Sequence, residues 1–345
     1  MKIDRASVLI CTFNRARQLR ETLSALQSMV PPADCAVEIL VVDNNSTDNT
    51  TAVIGESATN GAYPVVSLRE TRQGKSFALN RGLAHAQGDI IALTDDDVLP
   101  APDWLHRIVE AFRPREVSFV FGKVLPLWGA VPPPELLTSP AQAIWGPLAI
   151  CDYGDAPVEY LADKFDQRLP IGANLAFSRQ ALSAIGGWRT DLGKVNNTLI
   201  SGEDHEIFLR MRRAGHYAGY YDPDISVRHY VPAARLTRRY FRQWFFWHGK
   251  TQALMLEDLF PELNVTTVPK IACVPRFLYR HGLQELGAYV RALGTEDALG
   301  RLIHELNVLR YIGLFAERWK RHPSRQTLAA GSAHGPLPGV RVASR

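Results

Sequence analysis

The sequence predicts an α/β fold: a mostly parallel sheet flanked by helices, with a helical appendage at the C-terminal end. Three observations carry this. Apolar strand-like runs alternate with helix-periodic segments from Ser7 to Val124, the pattern of parallel strands buried on both faces under crossover helices. Each run ends in a cluster of polar residues. Beyond Pro232 the texture changes to long helical patterns that mix arginine with aromatics.

The elements follow in order. Ser7–Thr12 is a short β-branched apolar run and is predicted as the first strand. Gln18–Met29 carries Leu19, Leu23 and Leu26 at helical spacing. Val37–Val42 is the second strand, and Ser46 or Thr47 is placed to cap a helix over Asp48–Ser57. Val65–Leu68, Asp89–Thr94 and Ser118–Val124 are the next strands, separated by helices over Lys75–His85 and Asp103–Phe112. Eight prolines fall in 125–170, so that stretch is read as a long functional loop, a substrate wall or lid. Ser178–Ile185 and Glu203–Arg213 are helices, and Tyr217–Tyr221 a strand. The expected division is a catalytic domain over 1–231, a basic aromatic appendage over 232–322 and a disordered tail over 323–345.

Composition narrows the classes. Of 345 residues, 46% are apolar and 21% charged, the balance of a folded globular chain rather than a disordered one. The four cysteines Cys11, Cys35, Cys151 and Cys273 form no CxxC pair and read as free thiols. There is neither a secretory signal nor a run of 18 apolar residues, so a cytoplasmic location is expected, or a peripheral one on the cytoplasmic membrane face. The net charge of +4 hides an asymmetry. Residues 1–234 hold 22 Lys and Arg against 27 Asp and Glu, and 235–345 hold 17 against 8. The acidic front would repel a nucleic-acid backbone, so no nucleic-acid partner is expected.

In open α/β sheets, ligands bind at the carboxyl ends of strands. Here those ends carry Thr12-Phe13-Asn14, then Asp43-Asn44-Asn45, then Arg69 to Lys75, then Asp95-Asp96-Asp97. Three adjacent carboxylates repel unless a cation neutralises them. In an extended segment Asp95 and Asp97 share a face and can hold a hard divalent cation such as Mg²⁺ together. The plainer alternative is a solvated acidic turn. Gly74-Lys75-Ser76 is not a P-loop, because the required earlier glycine is Arg69. Lys75 is either a phosphate contact at a helix start or an exposed first-turn lysine. Glu203 and Asp204 open a helix, where acids complement the dipole. One of them could instead be a general base. His229 is either a metal ligand or a core histidine.

Together these pieces resemble a family 2 glycosyltransferase of the GT-A fold. The resemblance rests on VLICTFNRARQLRETLSAL (8–26), EILVVDNNSTDNT (38–50), GKSFALNRGLAHAQGDIIALTDDDVLPAPDWL (74–105), IGANLAFSRQALSAIGGW (171–188), SGEDHEIFLRMRRAG (201–215) and VRHYV (227–231). It implies that Thr12, Phe13, Asn14, Asp43, Lys75, Asp95 and Asp96 bind a nucleotide-sugar donor, with Asp43 on the uracil edge of a UDP-sugar. It implies that Asp97, with Asp95 and His229, holds Mg²⁺ or Mn²⁺ on the diphosphate. Asp204 matches the catalytic base, Glu203 its acceptor-side neighbour, and Trp188 an aromatic beside donor sugar and acceptor. The reaction implied is inverting transfer to a hydroxyl of a saccharide or lipid-linked acceptor. The stretch Arg242-Gln243-Trp244 departs from the QxxRW motif of processive members, so single addition is expected.

Two other classes compete. A sugar-phosphate nucleotidyltransferase would carry a glycine-rich loop after the first strand, where this chain reads TFNRAR. A carbohydrate-binding protein on a decayed fold would not need Asp204. For 235–250 two readings stand: a helix in a membrane interface, or a subdomain helix whose aromatics pack on the core.

Overall fold

The computed structural model describes residues 1–161, 169–195, 198–260 and 267–321. The tail expected over 323–345 lies outside them. The front half follows the alternation read from the sequence. Its elements are β1 (Arg5–Thr12), α1 (Ala16–Gln27), β2 (Ala36–Asp43), α2 (Thr50–Asn60), β3 (Val65–Arg69), α3 (Lys75–Leu83), β4 (Ile90–Asp95), β5 (Val98–Pro100), α4 (Trp104–Phe112) and β6 (Phe119–Trp128). Then come β7 (Val158–Tyr160), β8 (Leu175–Ser178), α5 (Arg179–Ile185), α6 (Glu203–Arg213) and β9 (Gly219–Val231). The sheet runs β3-β2-β1-β4-β8-β6-β9-β5, with β7 on β9. Pairing is parallel from β3 through β4 and between β6 and β9, and antiparallel around β8 and at β5 and β7. The register sets Thr12 beside Asp43, Cys11 beside Asp95 and Asp43 beside Arg69. The polar strand ends therefore lie in one row.

Several boundaries differ from expectation for physical reasons. Helix α2 starts at Thr50 and its Asn49 cap makes no side-chain bond. Ser46 and Thr47 are taken up elsewhere: Asn14 N–H donates to Ser46 Oγ at 2.9 Å, and Thr47 N–H donates to Asn14 Oδ1 at 2.7 Å. Strand β9 is far longer than Tyr217–Tyr221. Asp222, Pro223 and Asp224 hide it in the sequence, and the β6 pairing shifts register there. Strand β8 has four residues, too few to show a period, and Ser178 Oγ caps the helix that follows by accepting the Ala181 N–H. In 125–170 the described residues form 3-10 turns over Pro134–Leu137, Ser139–Ile144 and Gly146–Leu148.

The rear is helical: α7 (Arg238–Leu254), α8 (Leu256–Leu259), α9 (Arg276–Ala292) and α10 (Ala298–Lys320). Phe241 and Phe245 of α7 are buried with Leu136, Ile144, Leu148 and Leu306. The proline-rich segment is thus the floor on which α7 packs. Of the other aromatics of 235–250, Tyr240, Trp244, Phe246 and Trp247 are partly buried. Helices α7 and α10 cross closely. A Cβ at Gly249 would meet the Arg310 carbonyl, and one at Gly313 the Phe246 carbonyl.

Candidate functional site

A cavity of about 290 Å³ opens at the carboxyl ends of β1, β2 and β4. Thr12, Phe13, Lys75, Asp95, Asp96, Asp97 and His229 line it, as do Cys11, Arg15, Asn44, Gln73, Lys194 and Arg235. The acidic triplet links β4 to β5. Because Val98 pairs with His229 and Tyr230 N–H donates to the Asp97 carbonyl, β9 carries the histidine to the triplet. Asp95, Asp97 and His229 each offer one ligand atom, all within 4.8 Å of one another.

Each acid has a protein cation beside it. Arg15 Nη1 lies 2.8 Å from Asp96 Oδ1 and 2.6 Å from Asp97 Oδ2. Lys75 Nζ lies 3.1 Å from Asp95 Oδ1 and 3.7 Å from Glu203 Oε1. Thr12 Oγ1 donates to Asp96 Oδ2 at 2.8 Å. Asp97 Oδ1 is buried, 3.3 Å from His229 Nε2, yet in no hydrogen bond of good geometry. A buried carboxylate oxygen left without a donor is costly. Its position beside Asp95 and His229 fits a hard divalent cation with oxygen and imidazole ligands.

These charges set the protonation. Burial pushes the Asp96 carboxyl up to about 6, opposed by Arg15 and reinforced by Asp97. Burial works on Asp97 in the same sense, but His229 and Arg15 hold it below the usual carboxylate range. Asp95 is also held low against burial, chiefly by Lys75. Glu203 is raised by burial and by Asp204.

Asp204 is the second residue of α6, whose N-cap Gly202 has φ of +93°. Asp204 Oδ2 accepts the Gly172 N–H at 3.0 Å, while Oδ1 is buried with no partner. A Cβ at position 172 would sit 2.8 Å from the Asp204 carboxylate, so glycine is what lets the backbone approach. One oxygen is thus held and the other is left able to accept a proton. Lys75 joins the two halves, touching both Asp95 and the neighbour of Asp204.

Other sequence-predicted residues fall elsewhere. Asp43 is buried, its Oδ1 accepting the Ser46 N–H and its Oδ2 facing Thr51 Oγ1; Asn44 lines the cavity instead. Asn14 ties the loops after β1 and β2 together and does not line the cavity. Trp188 is 3% exposed, edge-on to Phe177. Its backbone is clamped to Asn80. Arg15 and Lys194 were missed as site residues. Arg15 adjoins the TFN segment, and only the fold shows it turned onto the triplet. Lys194 is held over the cavity because Leu192 and Lys194 carbonyls accept from Ser76 Oγ and Lys75 N–H.

Comparison with known proteins agrees with this architecture. Residues 7–126 match the model of Glycosyl transferase family 2. The chain is 25% identical over 260 residues to the succinoglycan biosynthesis protein ExoM of Rhizobium meliloti, covering 72% of this chain and 74% of that one. It is 25% identical over 270 residues to the glucosyl-dolichyl phosphate glucuronosyltransferase of Haloferax volcanii, covering 75% and 80%. In structure it resembles the mannosyltransferase PcManGT of Pyrobaculum calidifontis, solved with GDP-Man and Mn²⁺, at a TM-score of 0.52 and 21% identity over 98% of this chain and 77% of that one. The strands that build the cavity thus lie largely in a segment, 7–126, that matches the family 2 glycosyltransferase model, and the chain has the GT-A fold and is a glycosyltransferase.

Proposed function

We propose that the enzyme transfers one sugar, with inversion, from a nucleoside-diphosphate sugar, a UDP-sugar, to a hydroxyl of a saccharide or lipid-linked acceptor, and needs Mg²⁺ or Mn²⁺ to do so. The observation that carries this is the grouping of Asp95, Asp97 and His229 around a buried, unpartnered carboxylate oxygen at the strand ends. The cationic side chains Lys75, Lys194, Arg15 and Arg235 stand around the same cavity. The relatives support the acceptor class: one is named for succinoglycan biosynthesis, another for glucosyl-dolichyl phosphate.

Phe13, 41% exposed at the cavity mouth, offers a ring face to a nucleobase. Lys75, Lys194 and Arg235 attract the diphosphate and offset its charge as it leaves. Asp95, Asp97 and His229 would hold a divalent cation, which when bound would supply Lewis-acid neutralisation of that same group. Asp204 Oδ1 takes the acceptor hydroxyl proton. The freed oxygen attacks the anomeric carbon, and the bond to the diphosphate oxygen breaks on the opposite face. Asp204 contributes more by orientation than by basicity, being fixed by the Gly172 N–H.

The test is a panel of UDP- and GDP-sugars with and without Mn²⁺, scored for nucleoside diphosphate release. The reading requires release that EDTA abolishes. Release of pyrophosphate from a sugar phosphate and a nucleoside triphosphate would assign a nucleotidyltransferase. Binding of glycans with no release would assign a lectin.

A further inference from the structure

We propose that the outer face of α9, continued by the end of α10, is a surface that docks the protein on an anionic lipid bilayer. This goes beyond the transferase reading and does not depend on it. Leu283, Leu286, Val290 and Leu293 are 68%, 43%, 58% and 54% exposed. Their spacing of three, four and three residues puts them on one stripe. The helix is not short of a packing partner. Leu278 is buried, Gly282 sits against Phe315 and Tyr311 of α10, and Glu285 meets His304 and Asn307. The apolar stripe runs alongside this contact and stays exposed.

The stripe continues through Tyr279, four residues before Leu283. Trp319 Nε1–H donates to Tyr279 Oη at 3.0 Å, and Phe315 stacks between the two rings at 4.7 and 6.3 Å. Trp319 is 42% exposed. Tyr and Trp with an apolar body and a polar tip suit the boundary between lipid and water. Beside the leucines on the helical wheel run Arg276, Arg280 and Arg291, all exposed. Glu285, the one acid of α9, points to His304 instead. An apolar row flanked by guanidinium groups, with no acid between, is complementary to an anionic headgroup layer. A second copy fits less well, because a two-fold contact would bring this same arginine row against itself. In 235–250, where the sequence left membrane contact and packing both open, Phe241, Phe245 and Trp244 are used in packing α7.

The experiment is co-sedimentation of the full chain with vesicles of phosphatidylcholine alone and of phosphatidylcholine with phosphatidylglycerol. Wild type should sediment with the anionic vesicles and poorly with the neutral ones. Leu283→Glu with Val290→Glu should lower partitioning at least about tenfold. Arg280→Glu with Arg291→Glu should remove the preference for phosphatidylglycerol. Both double variants should keep the wild-type melting temperature and the wild-type nucleoside diphosphate release. Wild type that ignores anionic vesicles, or a leucine variant that sediments like wild type, overturns the proposal. So does a dimer on size-exclusion chromatography that Leu283→Glu with Val290→Glu turns into a monomer, which would assign the face to a second copy.

Discussion

Arg15 reaches from the start of α1 to lie 2.6 Å from Asp97, on the carboxylate whose other oxygen faces His229. The protein thus carries an internal cation against the acids proposed to hold an external one. Without metal, Arg15 offsets a repulsion among three buried or half-buried carboxylates.

This relationship gives the first prediction. Arg15→Gln should lower the stability of the metal-free protein by about 1–3 kcal/mol, less than for a fully buried pair because Arg15 is partly solvated. The variant should then be stabilised by Mn²⁺ more than wild type is, since binding to the folded state alone raises its stability. Thermal melts in EDTA and in Mn²⁺ measure both. Equal Mn²⁺-induced shifts in the two proteins would show that Arg15 and the cation do not share a site.

Asp97 and Asp204 should separate binding from turnover. Asp97→Ala should abolish Mn²⁺-dependent nucleotide binding, measured by titration calorimetry, and turnover with it. Asp204→Asn should keep that binding and lose about 10²–10⁴-fold in turnover, the usual contribution of a positioned base. Full turnover in Asp204→Asn would remove the base assignment and leave the metal assignment standing.

The crossing of α7 and α10 depends on two glycines, Gly249 and Gly313, each against a carbonyl of the other helix. Gly313→Ala must push the helices apart or bend one of them. It should cost about 1–3 kcal/mol in a denaturant titration, as overpacking typically does. Nucleotide binding should be unchanged, because that cavity is built from the front sheet and its loops.

His248 stacks on Trp244 at 4.9 Å and lies 3.3 Å from Gln252, which accepts from Arg310. Burial, then His205 and Arg310, push the imidazole down to about 3. Below its ordinary value of about 6.5, the unfolded chain therefore binds a proton that the folded chain refuses. Stability is fully present above that value and falls as pH drops from about 6.5 toward 3, by at most about 1.4 kcal/mol per pH unit. His248→Gln should flatten this part of the profile. Parallel profiles for the variant and wild type would contradict the neutral-histidine assignment.

The sequence by itself determined the strand-and-helix alternation, because buried parallel strands must be apolar throughout and their ends must turn polar. It placed Asp95 and Asp97 together at the end of a buried strand for the same reason, while Lys75, at a helix start, was left open between a phosphate contact and an exposed lysine, and only the fold set it beside Asp95. It underestimated β9, whose Asp222-Pro223-Asp224 break masks a strand held by β6, and it gave no sign of β8 in four residues. Tertiary structure alone decided which polar residues face the cavity. His229 reaches Asp97 only because β5 pairs with β9, a contact between segments 131 positions apart by sequence number that no local pattern encodes. Trp188 went into the core because Asn80 clamps its backbone and Phe177 takes its ring. The rear aromatics pack inward and the α9 leucines outward for a like reason. A helical period shows that a face is apolar, but what covers that face is settled only by the element that arrives opposite it.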